Sequence, residues 1–158
     1  MERRSKFSRR RGFKDDFETK LLDITRVARV VKGGRRFGFR TLVAVGNKKG
    51  KLGIGLAQAN DVSAAIEKAS HQAKKRLIDV PVVNREIAVK FKAAKIELRP
   101  RSQGLLVGGV LRQICRVAGI ENLSAKMRGS GNKVNNARAF MKALDILQHA
   151  NTRITTEK

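Results

Sequence analysis

Acidic side chains are scarce in this chain. Thirteen Asp and Glu stand against 36 Lys and Arg in 158 residues, for a formal net charge of +23. A small domain ordinarily carries a net charge of about 2–8, so this excess calls for a polyanionic partner: nucleic acid first, then an anionic membrane or an acidic protein. Cysteine occurs once, as Cys115, which excludes an internal disulfide framework and a cysteine-rich zinc site and fits a reducing compartment. Two histidines, His71 and His149, leave little for transition-metal chemistry. Tryptophan and tyrosine are absent and Phe occurs seven times, so stacking of splayed bases is poorly supplied and recognition must lean on phosphates and helix shape. Apolar runs are short, Leu42–Val45 among the longer ones, against the roughly 20 residues a membrane helix needs. Hydrophobic residues nonetheless make up 41%, enough for a folded core in one compact domain or two small ones.

Residues 1–14 hold Arg3, Arg4, Lys6, Arg9, Arg10, Arg11 and Lys14 against Glu2 alone. With no apolar stretch they do not read as a secretory signal. Residues 1–16 are expected to form a disordered basic arm lying on phosphates through Arg9, Arg10 and Arg11. A mitochondrial transit peptide and a plain solubilising tail are the alternatives.

Beyond Asp15, Asp16 and Glu18 the folded chain begins. Alternating Leu22, Ile24, Ala28 and Val30 predict a strand with a bulge near Arg26, which breaks the apolar face. Lys32–Arg36 reads as a glycine loop, Phe39–Val45 as a second strand, Asn47–Gly50 as a turn, and Lys51–Leu56 as a third strand loosened by Gly53 and Gly55. Asn60 or Asp61 can cap a helix whose buried stripe is Val62, Ile66, Ala69, Ala73 and Leu77. Residues 79–84, with Pro81, predict a connector between domains. Two strands, Glu86–Phe91 and Lys95–Arg99, open a second block. A helix bearing Leu111, Ile114, Cys115 and Ala118 and closed by Gly119 follows. Next come a strand over Leu123–Met127 and a last helix with Ala137, Phe140, Met141, Leu144 and Leu147. The expected fold class is α+β in two small domains. A β-β-β-α domain spans 17–82, a β-β-α-β-α domain spans 83–150, and 151–158 form a polar, frayed tail.

Several motifs fail on chemistry. Gly46–Lys51 is one residue short of a phosphate-binding P-loop, Leu52 replaces the magnesium-binding hydroxyl, and the flanks are strands where a helix is required. Gly50-Lys51-Leu52-Gly53 spells a GxxG but joins strands rather than helices, and Arg36–Phe39 echoes only part of an aromatic RNA-binding motif. His71, His149 and Cys115 have ordinary surface, cap or core explanations, and no triad, zinc set or carboxylate pair is present. The chain reads as a non-enzyme, without cofactor or small-molecule substrate. Basic residues beside glycine are what remains. Lys32, Arg35 and Arg36 surround Gly33-Gly34, where no Cβ blocks close approach and two arginines can grip phosphate oxygens bidentately. Lys48, Lys49 and Lys51 form a second cluster. Each could instead be a solvated turn, and Lys74-Lys75-Arg76 could simply favour a helix dipole.

The ordered string Gly34-Arg35, Phe39, Thr41, Ala44–Asn47, Gly50, Leu52-Gly53, Gly55, Asp61-Val62 and Ala65-Ile66 resembles the signature of the small-subunit ribosomal protein S-five family of bacterial type. So does the run Ile24–Phe37. The likeness continues through Lys95–Pro100, Val107–Val110, Val117–Ile120 and Gly129–Arg138.

The resemblance implies a double-stranded-RNA-binding-like first domain, lacking that module's first helix, and a second domain built on a β-α-β-α unit. It implies a structural constituent of the cytoplasmic small ribosomal subunit that binds its rRNA and supports assembly and the head–body neck. It further implies an influence on decoding fidelity, ribosomal proteins S-four and S-eight as neighbours, and a place near the mRNA entry channel. An organellar ribosome is the less favoured location. Candidate rRNA contacts are Arg26, Arg29, Lys32, Gly33, Gly34, Arg35, Arg36, Phe37, Lys48, Lys49 and Lys51, with Arg9, Arg10 and Arg11. Gly104, Gly108, Gly109 and Arg112 match the side facing S-four, and Lys32–Phe37 matches a loop close to the spectinomycin site. This chain departs from the family's pattern in four places. Lys92-Ala93-Ala94 replaces a glycine-bearing turn, Arg101–Gly104 a Glu-Gly-Thr-Gly, Asn132-Lys133 an Asn-Pro, and Ser63 a helix-start proline. A free double-stranded-RNA-binding regulator or RNA chaperone is the alternative function, and an RNA-modifying enzyme a weaker third.

Overall fold

The computed structural model describes residues 17–156, with side chains through residue 150. The arm with Arg9, Arg10 and Arg11 lies outside the described residues. Period-two alternation yields three long antiparallel strands, β1 (Glu18–Val31), β2 (Gly34–Gly46) and β3 (Lys51–Ala59), paired in that order. Every residue from Thr41 to Gly46 is buried, so the inner half of β2 is covered on both faces. On one face Val43 and Val45 pack beneath α1 (Val62–Lys74), whose buried stripe is Ala65, Ala69 and Ala73.

That helix starts at the Asp61 carboxylate, which accepts a hydrogen bond from the Ser63 amide at 3.2 Å and so satisfies one of the first-turn donors. Its alanines let the backbone sit close to β3, and a Cβ at Gly55 would run into the Ala69 carbonyl. This glycine therefore brings helix and strand together; it does not loosen the strand. The buried Thr41 hydroxyl adds a tie, donating to the Ala65 carbonyl at 3.0 Å.

After a short strand, β4 (Ile78–Asp79), the second sheet is built from β5 (Ile87–Phe91), β6 (Ala94–Pro100), β7 (Leu105–Val107) and β8 (Leu123–Arg128). Its order is β5-β6-β8-β7. Helix α2 (Gly109–Ala118) links β7 to β8, which run parallel. Helix α3 (Lys133–Thr156) packs on β5 and β6. Val89, Ile96, Leu98, Leu123, Leu111, Ile114, Phe140, Leu144 and Leu147 fill the space between this sheet and its helices. Leu22, Leu42, Ala44 and Leu52, from the other face of the first sheet, belong to the same cluster. The two sheets thus share one continuous core.

Four expectations need correction. The β1 bulge falls at Leu22, between Leu21 and Asp23, and not near Arg26, which stays in register opposite Phe39. Residues Ile78–Asp79 form a fourth strand, β4, on β3, so the connector begins later than 79 and the first unit reads β-β-β-α-β. The short apolar run Leu105–Val107 is a strand, making the second unit β-β-β-α-β-α. The backbone of 151–156 continues α3 rather than fraying. The α+β class and the strand-rich first unit with a helix on one face stand.

One junction joins the halves through backbone. The Asn47 side chain folds the β2–β3 turn by accepting from the amides of Lys49 and Lys51, both at 2.9 Å. The turn then presents the Lys48 amide to the Val117 carbonyl at 3.1 Å and the Gly50 amide to the Ala118 carbonyl at 3.3 Å. These are carbonyls that a helix leaves unpaired at its C-terminus. Gly119, at φ 78, ends α2 in the left-handed conformation, and a Cβ there would strike the Lys48 carbonyl. Lys133, at the start of α3, adds an ion pair to Asp23 of β1 at 2.7 Å.

Candidate nucleic-acid interface

Residues 34–38 of β2 pair only with β1, because β3 ends opposite Phe39. The outer part of the β1–β2 hairpin is therefore a two-stranded ribbon extending beyond the four-stranded sheet. Such ribbons are marginal in water on their own. Val31 pairs with Gly34, leaving Lys32-Gly33 as a two-residue tip. Arg35 and Arg36, read as loop in the sequence, lie in β2.

From residue 25 to 40 the ribbon and its base on the sheet carry Arg26, Arg29, Lys32, Arg35, Arg36 and Arg40, and no acid. Arg29 and Arg36 stand directly opposite one another, an arrangement that costs stability unless an anion lies between them. The Arg26 guanidinium sits 3.8 Å from the centre of the Phe37 ring, which holds the cation in place. Apolar groups are open as well, Val30 at 75% exposure and Phe37 at 50%. The ribbon thus brings together Arg26, Arg29, Lys32, Gly33, Gly34, Arg35, Arg36 and Phe37. At the base of the ribbon, where β2 also pairs with β3, stands Arg40, which the sequence reading omitted although its spacing from Arg36 and Gly38 on alternate positions was visible.

The two glycines differ. Gly34 has φ 135, whereas Gly33 does not adopt a positive φ, and a Cβ at either would meet nothing within 4 Å. Only Gly34 needs to be glycine for the protein's own conformation.

Lys48 and Lys49 lie at the other end of β2, in the turn that meets α2, Lys51 opens β3, and none of the three joins the ribbon. The Lys48 ammonium pairs with Glu18 at 2.7 Å. That hydrogen bond, with the ammonium's charge, holds the Glu18 carboxyl below its ordinary range. Lys49 and Lys51 are exposed. Gly104 precedes β7, its amide donating to the Asn122 side chain at 3.2 Å. Gly108, Gly109 and the exposed Arg112 lie at the start of α2, on a patch separate from the ribbon.

The candidate reactive groups stay apart. Cys115 is buried in α2, and burial pushes its thiol up to about 12. His149 pairs with Asp145 one turn back at 3.5 Å, and His71 is exposed near the end of α1.

Two family models match consecutive parts of the chain: "Ribosomal protein S5, N-terminal domain" over residues 17–81 and "Ribosomal protein S5, C-terminal domain" over residues 89–157. The chain belongs to the ribosomal protein S5 family. The Small ribosomal subunit protein uS5c of Cyanophora paradoxa is 38% identical over 155 residues, covering 94% of this chain and 92% of the relative. Its counterpart uS5 of Mesomycoplasma hyopneumoniae strain J is 42% identical over 153 residues, covering 92% and 71%. The uS5 of Campylobacter jejuni serotype O:23/36 is 42% identical over 141 residues, covering 85% and 96%. Membership in the S5 family makes this a structural, non-enzymatic ribosomal protein. Lys92 adopts φ 51, a conformation that glycine enters without strain.

Proposed function

We propose that this chain binds small-subunit rRNA through the β1–β2 ribbon and its tip, and that it supports subunit assembly and the head–body neck. The observation that carries the reading is the outer end of the β1–β2 hairpin, with six cations and no acid between residues 25 and 40 and an Arg29–Arg36 pair that has no ion-pair partner among the described residues. Phosphates are the anions that such a surface suits, and bidentate arginine contacts give them orientation. The arm with Arg9, Arg10 and Arg11 adds backbone contacts, and Lys48, Lys49 and Lys51 add a second point of attachment. The face around Gly104, Gly108, Gly109 and Arg112 meets S-four. S-eight is the other protein neighbour, and the site borders the mRNA entry channel, where the protein influences decoding accuracy. The ribosome is cytoplasmic in this reading, with an organellar one as the second location.

Arg35→Ala combined with Arg36→Ala tests it. Log affinity for rRNA falls with log salt by roughly 0.7–0.9 per phosphate contact, so the double variant should lose about one unit of slope per contact removed. In sucrose gradients the tagged protein should co-migrate with small subunits near stoichiometry. A shallow wild-type slope or a large free pool at the top of the gradient would sink the reading and favour a free regulator.

A further inference from the structure

Among the described residues, one face of the second sheet carries no helix. Val89, Ile96, Leu98 and Leu123 turn into the core under α2 and α3, so the alternate positions on β5, β6 and β8 face outward. The strand registers bring Lys90 opposite Lys95, and Lys95 opposite Arg128, in a row of three like charges across three strands. Adjacent strands are about 4.8 Å apart, so the row spans about 10 Å. In the next row Lys126 stands opposite Glu97, and Arg99 lies one row further. Glu97 is within 3.6 Å of Lys95 and 3.5 Å of Arg128, and Arg99 pairs with Glu86 at 3.5 Å. Lys90 and Lys126 form no ion pair with a described residue. Five cations therefore share a face with two acids, and the end nearest the β5–β6 turn, where Lys92 adds another charge, has no acid beyond Glu97 among the described residues.

Like charges placed directly across a sheet destabilise it. The row Lys90–Lys95–Arg128 is only partly neutralised, since one Glu97 serves both Lys95 and Arg128 and no described acid serves Lys90, so it works against folding unless an external anion completes the balance. No aromatic residue lies on these outward positions to stack a base. We propose that this open face is a second RNA-binding surface, taking the phosphodiester backbone of single- or double-stranded RNA across the Lys90–Lys95–Arg128 row without reading sequence. The inference rests on the RNA-binding reading above but uses residues outside the ribbon.

Two variants of opposite sign test it in the full-length protein, with a small-subunit rRNA fragment as the probe. Lys90→Gln with Lys126→Gln removes two exposed cations and should lower the log–log salt slope by roughly 1.4–1.8, for two contacts at 0.7–0.9 each. Glu97→Gln releases Lys95 and Arg128 from their acid and should tighten RNA binding several-fold. Lys68→Gln with Lys75→Gln, at exposed positions on α1 and its C-cap, makes the same charge change elsewhere and should leave the slope nearly unaltered. Melting curves of the free variants should show Lys90→Gln/Lys126→Gln as stable as the parent or more so. If the sheet and helix variants behave alike, or if Glu97→Gln leaves affinity unchanged, the proposal is overturned while the ribbon reading stands. Unchanged RNA affinity with lost subunit incorporation also overturns it, in favour of an acidic protein on this face. A parent protein that binds the fragment without salt dependence would defeat the ribbon reading itself.

Discussion

Lys92 holds a left-handed backbone, at φ 51, in a two-residue turn between Phe91 and Ala94. A side chain in this region costs roughly 1–2 kcal/mol, and glycine's extra unfolded-state freedom offsets part of any relief. Lys92→Gly should therefore stabilise the free protein by about 0.5–1 kcal/mol, seen as a rise in melting temperature. The Gly33-Gly34 pair gives a sharper contrast. Gly34→Ala should cost about 1 kcal/mol because φ 135 is closed to a side chain, whereas Gly33→Ala should leave the melting curve within about 0.5 kcal/mol. If Gly33 matters for close RNA approach, a bulky residue there will impair subunit function in a fully stable protein. Cys115 supplies a pH test. Its folded thiol titrates near 12, raised by burial, so the folded state holds its proton while the unfolded state releases it above about 8.5. Stability from this group is complete below that pH and falls as pH rises toward 12. A Cys115→Val variant should show a flatter alkaline decline. In the native parent a thiol reagent should label nothing until urea unfolds it.

At the scale of elements, the tightest fit is α1 on β3. Gly55→Ala would push a methyl into the Ala69 carbonyl, and overpacking of this kind costs typically 1–3 kcal/mol. A variant melting like the parent would show that the helix lifts freely, contrary to the buried Ala65, Ala69 and Ala73 stripe. The long strands and all three helices were legible because each buries one face, and burial writes a period into the sequence. Where that condition fails, the reading fails. Beyond Leu22 no residue of β1 is buried, so Arg26 on the apolar side marks no irregularity, while the true bulge at Leu22 swaps the face on which successive residues lie. Strands β4 and β7 have two and three residues, too few for any period. The ribbon's cations were legible by charge and by their glycines. The outward row on the second sheet was not, because Lys90, Lys95 and Arg128 are brought together only by strand register.

At the scale of the whole molecule, the two topological units are not two independent cores. Leu42, Ala44 and Leu52 of the first sheet lie in the cluster built mainly by the second. A fragment ending at residue 82 would expose that face, so it should fail to show a cooperative thermal transition although its strands and helix are all present. A sharp two-state melt of the fragment would contradict this. The junction is the other point of union, and Gly119→Ala should weaken it both through the left-handed φ of 78 and through collision with the Lys48 carbonyl. Because the β2–β3 turn clamps the end of α2, the strand carrying the ribbon tip is anchored at its opposite end to the second half. Thirteen residues of β2 at about 3.3 Å each make a lever about 40 Å long, on which a tilt of about 3° at the clamp would swing the tip by about 2 Å. A strut of this kind turns small adjustments at one side of the protein into movements as large as a hydrogen bond at the other. Whatever holds the second half in place therefore also aims Lys32 and Gly33.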